Sequence, residues 1–201
     1  MDALFDNIAA FVSLGAGLST LSGLRAFLPL GLVGLVARYD LFGAFDLDAT
    51  VFAVLENPWV IGILLILALI EITADKVPLL DSAQDLLTTP LRILAGALVF
   101  GAALAQQDTG VVVAGMIGGG ALAGASHAAK GALRPGVTTA AGEAADPFVS
   151  FFEDIVAGVG SLVLVLVPLL GILLVVFVLL FIYRVRKRRQ RKYKGLRILK
   201  E

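Results

Sequence analysis

The stretch Ile155–Tyr183, IVAGVGSLVLVLVPLLGILLVVFVLLFIY, decides the fold class because none of its 29 residues is Asp, Glu, Lys or Arg. As one α-helix it would be about 44 Å long, whereas the hydrocarbon core of a bilayer is about 30 Å thick. We therefore expect a single membrane-crossing helix whose excess length is absorbed by tilt or by a kink at Pro168.

The composition of the whole chain agrees with a lipid environment. Hydrophobic residues make up 59% of the 201 residues and charged residues 16%, whereas soluble domains average about 25% charged residues. This balance excludes a disordered chain, a nucleic-acid-binding core and an ordinary water-soluble fold. The chain has no Cys, which excludes disulfides, thiolate metal sites and cysteine nucleophiles.

Four further apolar stretches are long enough to be considered as spans: Ile8–Ala37, Asn57–Ala74, Pro90–Ala105 and Gly110–Ala129. The first is interrupted at Arg25, so it is either a kinked span or a re-entrant pair of half-helices. Three Pro residues follow an N-cap side chain and predict helix starts at Asn57-Pro58, Thr89-Pro90 and Asp146-Pro147. A short helix starting at Asp81 or Ser82 is expected before the second of these starts.

These patterns predict an all-α, polytopic transmembrane helix bundle. It has about five spans, a broken or kinked first segment and a short helix between spans two and three. Residues 1–183 form a single transmembrane domain, and residues 184–201 form a basic cytoplasmic tail.

The orientation follows from the basic tail, since ten of the 16 Lys and Arg residues lie in 184–201. Such a cluster beside a span stays cytoplasmic and is attracted to anionic lipids. Counting spans back from the tail places 131–146 and 75–89 outside, and 38–57 and 106–109 inside. The expected partners are the lipid bilayer, with anionic lipids at the tail, and a possible second copy of the chain. No nucleic acid is expected, because no aromatic residues interleave the bases to stack on them.

Ionisable residues within the spans form the candidate site, because such residues are costly in lipid and usually face a bundle interior or a cavity. By the counted-back topology, nearly all of them fall in the outer half of the membrane. They are Arg25, Glu71, Asp75, Asp81, Arg92, His127, Lys130, Arg134, Glu153 and Asp154. Helical spacing makes one basic stripe on the fourth span and acidic stripes on the second and fifth spans. Two interpretations stay open: ion pairs that only fix the helix register, or a polar vestibule on an ion or solute pathway.

Two other patterns carry weaker predictions. A carboxylate site for a divalent metal is possible among the acids, but His127 is the only histidine, and no cofactor is expected. The spacings Gly115–Gly119 and Gly120–Gly124 are small-xxx-small patterns that let helices approach closely, either within the chain or between copies in a homo-oligomer.

Four segments, taken in order, resemble the bacterial membrane-protein family catalogued as domain of unknown function 4126. They are Gly23-Leu-Arg-Ala-Phe-Leu-Pro29, Ala74-Asp-Lys-Val-Pro78 followed by Asp81, the Gly-rich span with His127 and Lys130, and Asp146-Pro-Phe-Val-Ser-Phe-Phe-Glu-Asp154. That family often has Asn at the position of Asp146, and either residue caps a helix. The resemblance implies a small protein of the bacterial inner membrane with no assigned activity, and it adds Lys76 to the candidate residues.

We expect a transporter or channel for an ion or small solute, entered through a charged outer-half vestibule. The alternative is a structural, lipid-binding or complex-assembly protein whose charges pair internally, and a metal-dependent membrane enzyme is the third hypothesis. A solvated cavity among the charged groups would favour transport, whereas a dry and paired cluster would favour the alternative.

Overall fold

The computed structural model describes the backbone of residues 8–75, 78–141 and 146–198, and the side chains of 8–75, 88–132 and 148–187. The described residues are helical, with no strand among them. Seven α-helices follow one another: α1 Ile8–Ser22, α2 Phe27–Arg38, α3 Pro58–Ala74, α4 Pro78–Ala103, α5 Thr109–Ala141, α6 Asp146–Leu166 and α7 Leu170–Ile198. Two short 3-10 helices, Leu41–Gly43 and Val51–Glu56, lie between α2 and α3.

The seven helices run alternately between two ends of the bundle. At one end, which we call the charged end, α1 turns into α2 at Arg25, and Lys130 of α5 reaches Asp75 and Glu153. At the other, which we call the loop end, the side chain of Gln106 donates to the backbone carbonyls of the 38–57 connection. The N-terminal end of α1 therefore lies at the loop end, and the C-terminal end of α7 lies at the charged end.

Helix α1 is the central element. Eleven of its 15 residues are buried, as expected for a helix that is small or apolar on all sides. Leu14, Leu18 and Leu21 are at most 1% exposed and join α1 to the main core. The hydroxyl of Ser19 donates to the carbonyl of Gly96 on α4 at 2.7 Å, which holds the two helices in register.

The glycines of α5 are used within the chain. A side chain at Gly119 would meet the carbonyl of Gly96 and the Cβ of Phe100, and one at Gly115 would meet Leu104. Gly96 and Phe100 lie on α4, and Leu104 follows its last residue. The small-xxx-small pattern therefore lets α4 and α5 of one chain approach each other.

The broken first segment is confirmed, and the break reverses the chain. Helix α1 ends at Ser22, and α2 starts at Phe27 and runs back to the loop end beside α3. The predicted start at Asn57 is also confirmed, since its side chain accepts the N–H of Trp59 at 2.9 Å. The α6 start agrees with Asp146-Pro147, because that helix begins at Asp146.

The predicted helix start at Thr89-Pro90 is wrong, and so is the separate short helix before it. Helix α4 begins at Pro78 and continues through Pro90. A proline inside a helix removes one N–H donor and crowds one carbonyl, which a packed helix can tolerate. The hydroxyl of Thr89 makes a hydrogen bond with His127 across to α5.

The predicted fifth span is wrong as a single crossing, because Ile155–Tyr183 forms two helices of opposite direction. Helix α6 ends at Leu166 and α7 begins at Leu170, with Pro168 between them. Gly171 lies against Ser13 near the loop end, whereas Phe181 and Arg186 line a pocket with Ala129 of α5 at the charged end. The basic tail thus starts at the same end as the charged groups, contrary to the counted-back topology. Helix α7 continues past Tyr183 without interruption.

The outer surface of the bundle is apolar. On α3, the residues Ile63, Ile66, Leu69 and Ile70 are all more than half exposed, and α6 and α7 carry similar faces. Exposed apolar surface of this extent marks contact with lipid or with another protein. Among the residues whose side chains are described, two stretches, Thr109–Ala132 and Phe148–Leu166, are long and apolar enough to cross a membrane, while the apolar parts of α1, α2, α3 and α4 are shorter.

Candidate functional site

Glu71 closes the start of α2. This residue lies in the last turn of α3, and its carboxylate accepts the N–H of Ala26 at 3.1 Å and that of Phe27 at 3.3 Å. These are backbone donors at a helix N-terminus, where the helix dipole favours a negative charge. The guanidinium of Arg92 lies 3.2 Å from the same carboxylate. Glu71 therefore joins α2, α3 and α4 at one point.

Arg25 is fully buried in the turn between α1 and α2. Its Nη1 pairs with Asp75, and its Nη2 donates to the hydroxyl of Ser150 at 2.9 Å. Its Nε lies 2.6 Å from the carboxylate of Asp154, close enough for an ion pair but not aligned as a hydrogen bond. One guanidinium thus contacts the ends of α3 and α6, which are far apart in the sequence.

Lys130 is 4% exposed and lies between two carboxylates. Its Nζ is 3.1 Å from Asp75 and 2.8 Å from Glu153. Asp75 is therefore shared by Arg25 and Lys130. This sharing links the α3, α5 and α6 ends through a chain of opposite charges.

His127 has a defined protonation pattern. Its Nδ1 lies 2.9 Å from Nη1 of Arg92, and its Nε2 lies 2.9 Å from the hydroxyl of Thr89. Because a guanidinium only donates, Nδ1 accepts and the ring proton is on Nε2, which donates to Thr89. In this geometry the histidine is neutral and serves to orient Arg92.

Together these residues form what we call the charged cluster. Its described members are Arg25, Glu71, Asp75, Arg92, His127, Lys130, Glu153 and Asp154. With His127 neutral, these described side chains comprise three bases and four acids. Burial of an unpaired charge costs several kcal/mol per ion, so close pairing is what makes such a cluster tolerable inside a bundle. The arrangement links the α1–α2 turn and α3 to α6 through charged side chains.

The structure brings together eight of the eleven residues predicted from the sequence. The side chains of the other three, Lys76, Asp81 and Arg134, lie outside the described residues. Among the side chains that are described, no group of three His, Asp or Glu residues is arranged to hold a metal ion.

Two polar partners in the structure, Ser150 and Thr89, were not among the residues predicted for the site. Ser150 could have been found, because it lies on the same helical face as Glu153, Asp154 and Ala157. That face is buried as its spacing predicts, with Ser150, Ala157 and Ser161 all 0% exposed.

A groove of about 330 Å³ borders the charged cluster. It lies between α6 and α7, which diverge from their shared turn, and α1 and α5 form its floor. Its lining is largely apolar and includes Leu21, Leu24, Phe152, Val156, Leu174, Val178, Phe177 and Phe181. Lys130 and Glu153 reach it at one border, with their charged groups paired. We call this space the α6–α7 groove.

Comparison with known proteins identifies the family and nothing narrower. No curated protein and no solved structure matches the chain. The model of the family described as "domain of unknown function (DUF4126)" matches residues 12–188, which include α2 to α6, most of α1 and α7, and the whole charged cluster. The resemblance carried by the Arg25, Asp75, Lys130 and Glu153 segments is thereby confirmed, and the chain belongs to the DUF4126 family.

Proposed function

We propose that this protein is a polytopic membrane protein that binds a lipid-like amphiphile in the α6–α7 groove. The observation that carries the proposal is the position of the groove, an apolar space beside a cluster whose charges are already paired. An apolar groove with few polar groups suits an acyl chain, because burial of its methylenes contributes about 0.8 kcal/mol each. The charged cluster then has a structural role, holding the helix ends that form the floor.

The burial of the cluster supports this function over an open ion pathway. Arg25 and Arg92 are 0% exposed, and their guanidinium groups lie within ion-pair distance of carboxylates. A permeating ion would have to displace these pairs, whereas an acyl chain in the groove would leave them in place. This favours the lipid-binding alternative of the sequence hypotheses.

The test uses two matched tryptophan substitutions on α6. Val156 lines the groove, whereas Val159, three residues along, is 56% exposed on the outer face. Protein purified through a stringent detergent wash is examined by native mass spectrometry for retained lipid. We expect the wild type and Val159→Trp to retain one amphiphile and Val156→Trp to lose it at least tenfold.

A wild type that retains no lipid, or a Val156→Trp variant that retains it equally, contradicts the proposal. An independent measurement uses wild-type protein in nanodiscs containing a phospholipid with a photoreactive acyl chain. Cross-links are expected on Val156 and Leu174, which line the groove and are only partly exposed. Labelling confined to the outward faces of α3 and α6 would also contradict it.

Transport of an ion or small solute is the second proposal. It is favoured by Lys130 and Glu153, which belong both to the cluster and to the border of the groove. A liposome flux screen tests it, with Glu153→Gln as the variant because Lys130 keeps Asp75 as a partner. Transport predicts flux above that of protein-free liposomes and at least a tenfold loss in the variant. Wild-type flux equal to that of empty liposomes ends this proposal.

For the topology, we propose a multi-pass protein of the bacterial inner membrane with the basic tail in the cytoplasm. Since Arg186 lies at the charged end, the positive-inside rule then puts the charged cluster in the cytoplasmic half. Because the chain has no Cys, single cysteines can be placed at the exposed Asp108 and Lys187. In right-side-out vesicles, an impermeant maleimide should label Asp108→Cys and not Lys187→Cys. If both cysteines are labelled from the same side, the result contradicts this topology and supports the sequence prediction that Ile155–Tyr183 crosses the membrane once.

A homo-oligomer would need a surface other than the glycines of α5. Gly115 and Gly119 already contact α4 of the same chain. The outward faces of α3, α6 and α7 are exposed apolar surfaces that a second copy could contact. Cross-linking in the membrane at the exposed Ile66 tests the α3 face, and a dimer band in the native membrane is the expected result if that face is used.

A further inference from the structure

We infer that α6 and α7 form a re-entrant hairpin whose tip contacts the acyl chains of the bilayer interior. The inference rests on the membrane location proposed above. The tip is the turn between the two helices, where Val167, Leu169 and Leu170 are 45%, 52% and 37% exposed. A turn that emerged into water would normally carry polar residues, since loops lie at the surface and solvate their backbone.

Length is the first argument. From the last acid of α6 to the turn, the uncharged arm Ile155–Leu166 has 12 residues, and from the turn to the first base the arm Leu170–Tyr183 has 14. At 1.5 Å per residue the arms are about 18 Å and 21 Å long, and the hydrocarbon core is about 30 Å thick. Each uncharged arm is therefore shorter than the hydrocarbon core is thick, so a turn within the core is compatible with charged ends that stay at one face.

The second argument is independent of length and comes from Ser13 of α1. The hydroxyl of Ser13 donates to the carbonyl of Pro168 at 2.6 Å and accepts the N–H of Ile172 at 2.9 Å. Non-helical backbone at membrane depth is tolerated only where protein satisfies its polar groups. One buried side chain supplies both partners here, so this part of the turn does not depend on water.

The neighbouring turn provides the contrast. The connection between α4 and α5, at the same end of the bundle, carries Gln106, Gln107 and Asp108, and its Gln106 contacts the 38–57 connection. That turn is polar, as a solvated turn should be. The α6–α7 tip carries no polar side chain and has Pro168 fully buried against α1.

The experiment places single cysteines at Leu169 in the tip, at Asp108 in the polar turn and at Lys187 in the tail. Each variant is treated with an impermeant maleimide in right-side-out and in inverted vesicles. We expect Leu169→Cys to react at least tenfold more slowly than Asp108→Cys or Lys187→Cys from either side. It should become reactive once the membrane is dissolved and the protein unfolded.

Each other outcome identifies which idea fails. Rapid labelling of Leu169→Cys from the side that labels Asp108→Cys means that α6 and α7 both cross, which overturns the hairpin and leaves the membrane location intact. Labelling of all three positions from both sides means that the chain is not embedded, which overturns the proposed location itself. A membrane-permeant maleimide serves as a second measurement, since it should reach Leu169→Cys faster than the impermeant reagent does.

Discussion

Replacement of Glu71 by Gln tests whether the charged cluster holds the bundle together. The substitution keeps the size of the side chain and removes its charge. Gln has one acceptor oxygen in place of a carboxylate, so the N–H of Ala26 and that of Phe27 can no longer both be satisfied as they are at 3.1 and 3.3 Å. Arg92, which is 0% exposed, also loses the carboxylate 3.2 Å from its guanidinium.

The expected loss of stability is large. An unsatisfied buried donor costs about 1–3 kcal/mol, and removal of one partner of a buried ion pair costs about 3–5 kcal/mol. Since the two effects share one carboxylate, we expect a total of about 3–5 kcal/mol. The matched control is Glu153→Gln, for which we expect about 1–2 kcal/mol, because Lys130 keeps Asp75 at 3.1 Å and the Glu153 side chain is 12% exposed.

The assay is equilibrium unfolding in mixed micelles of mild detergent and SDS, followed by helical circular dichroism. A double variant, Glu71→Gln with Arg92→Leu, measures the coupling between the two side chains. The double variant should lose at least about 1 kcal/mol less stability than the sum of the two single variants. The reason is that the carboxylate and the guanidinium that pair in the wild type are both absent from it. A Glu71→Gln loss no larger than that of Glu153→Gln would refute the structural role of this pair.

Three further substitutions test other contacts. Ser13→Ala should cost about 1–3 kcal/mol, because the N–H of Ile172 loses its partner while the carbonyl of Pro168 keeps the N–H of Gly171. Ser22→Ala removes only a bond to its own helix and should cost less than about 1 kcal/mol, and equal losses in the same unfolding assay would argue against the turn contact. Gly119→Ala should cost about 1–3 kcal/mol of stability, because the added methyl overlaps α4, whereas Gly110→Ala meets no neighbour and should be neutral or slightly stabilising. Thermal unfolding compares the two variants, and an unchanged melting temperature in Gly119→Ala would contradict the close helix contact. Asn57→Ala should cost about 1 kcal/mol of stability, because it removes the N-cap of α3, and Asn57→Ser should retain most of the wild-type stability. An unchanged melting temperature in Asn57→Ala would contradict the role of this cap.

Local sequence signals predicted the elements and much of the cluster. The cap at Asn57, the break at Arg25 and the buried face of α6 all follow from neighbouring residues. Pairing between the basic stripe of the fourth predicted span and the acidic stripe of the fifth was one of the two interpretations, and it is present between Lys130 and Glu153 at 2.8 Å. These features are accessible because pairing is the usual outcome for charges inside a bundle, and helical spacing limits which residues meet.

The failures concern chain direction, which hydropathy does not encode. A proline in an apolar run is compatible with a continuous helix, a kink or a reversal of the chain. Helix α4 continues through Pro90, whereas the chain reverses at Pro168. At Pro168 the deciding contact comes from Ser13, which is 155 residues away in the sequence. The sequence analysis placed the cluster and the tail at opposite ends by counting spans, so one unrecognised reversal was enough to put them at the same end.

The convergence of distant segments on Arg25 has a consequence for biosynthesis. Arg25 leaves the ribosome long before Asp75, and the last of its partners, Asp154, follows 129 residues after it. At about 5–20 residues per second, that interval is on the order of ten seconds. In the membrane-embedded bundle proposed above, the guanidinium can pair with Asp75 first, but its contact with α6 has to wait for Asp154. Truncated nascent chains that end before Asp154 should therefore leave Arg25 more accessible to solvent than the full chain does.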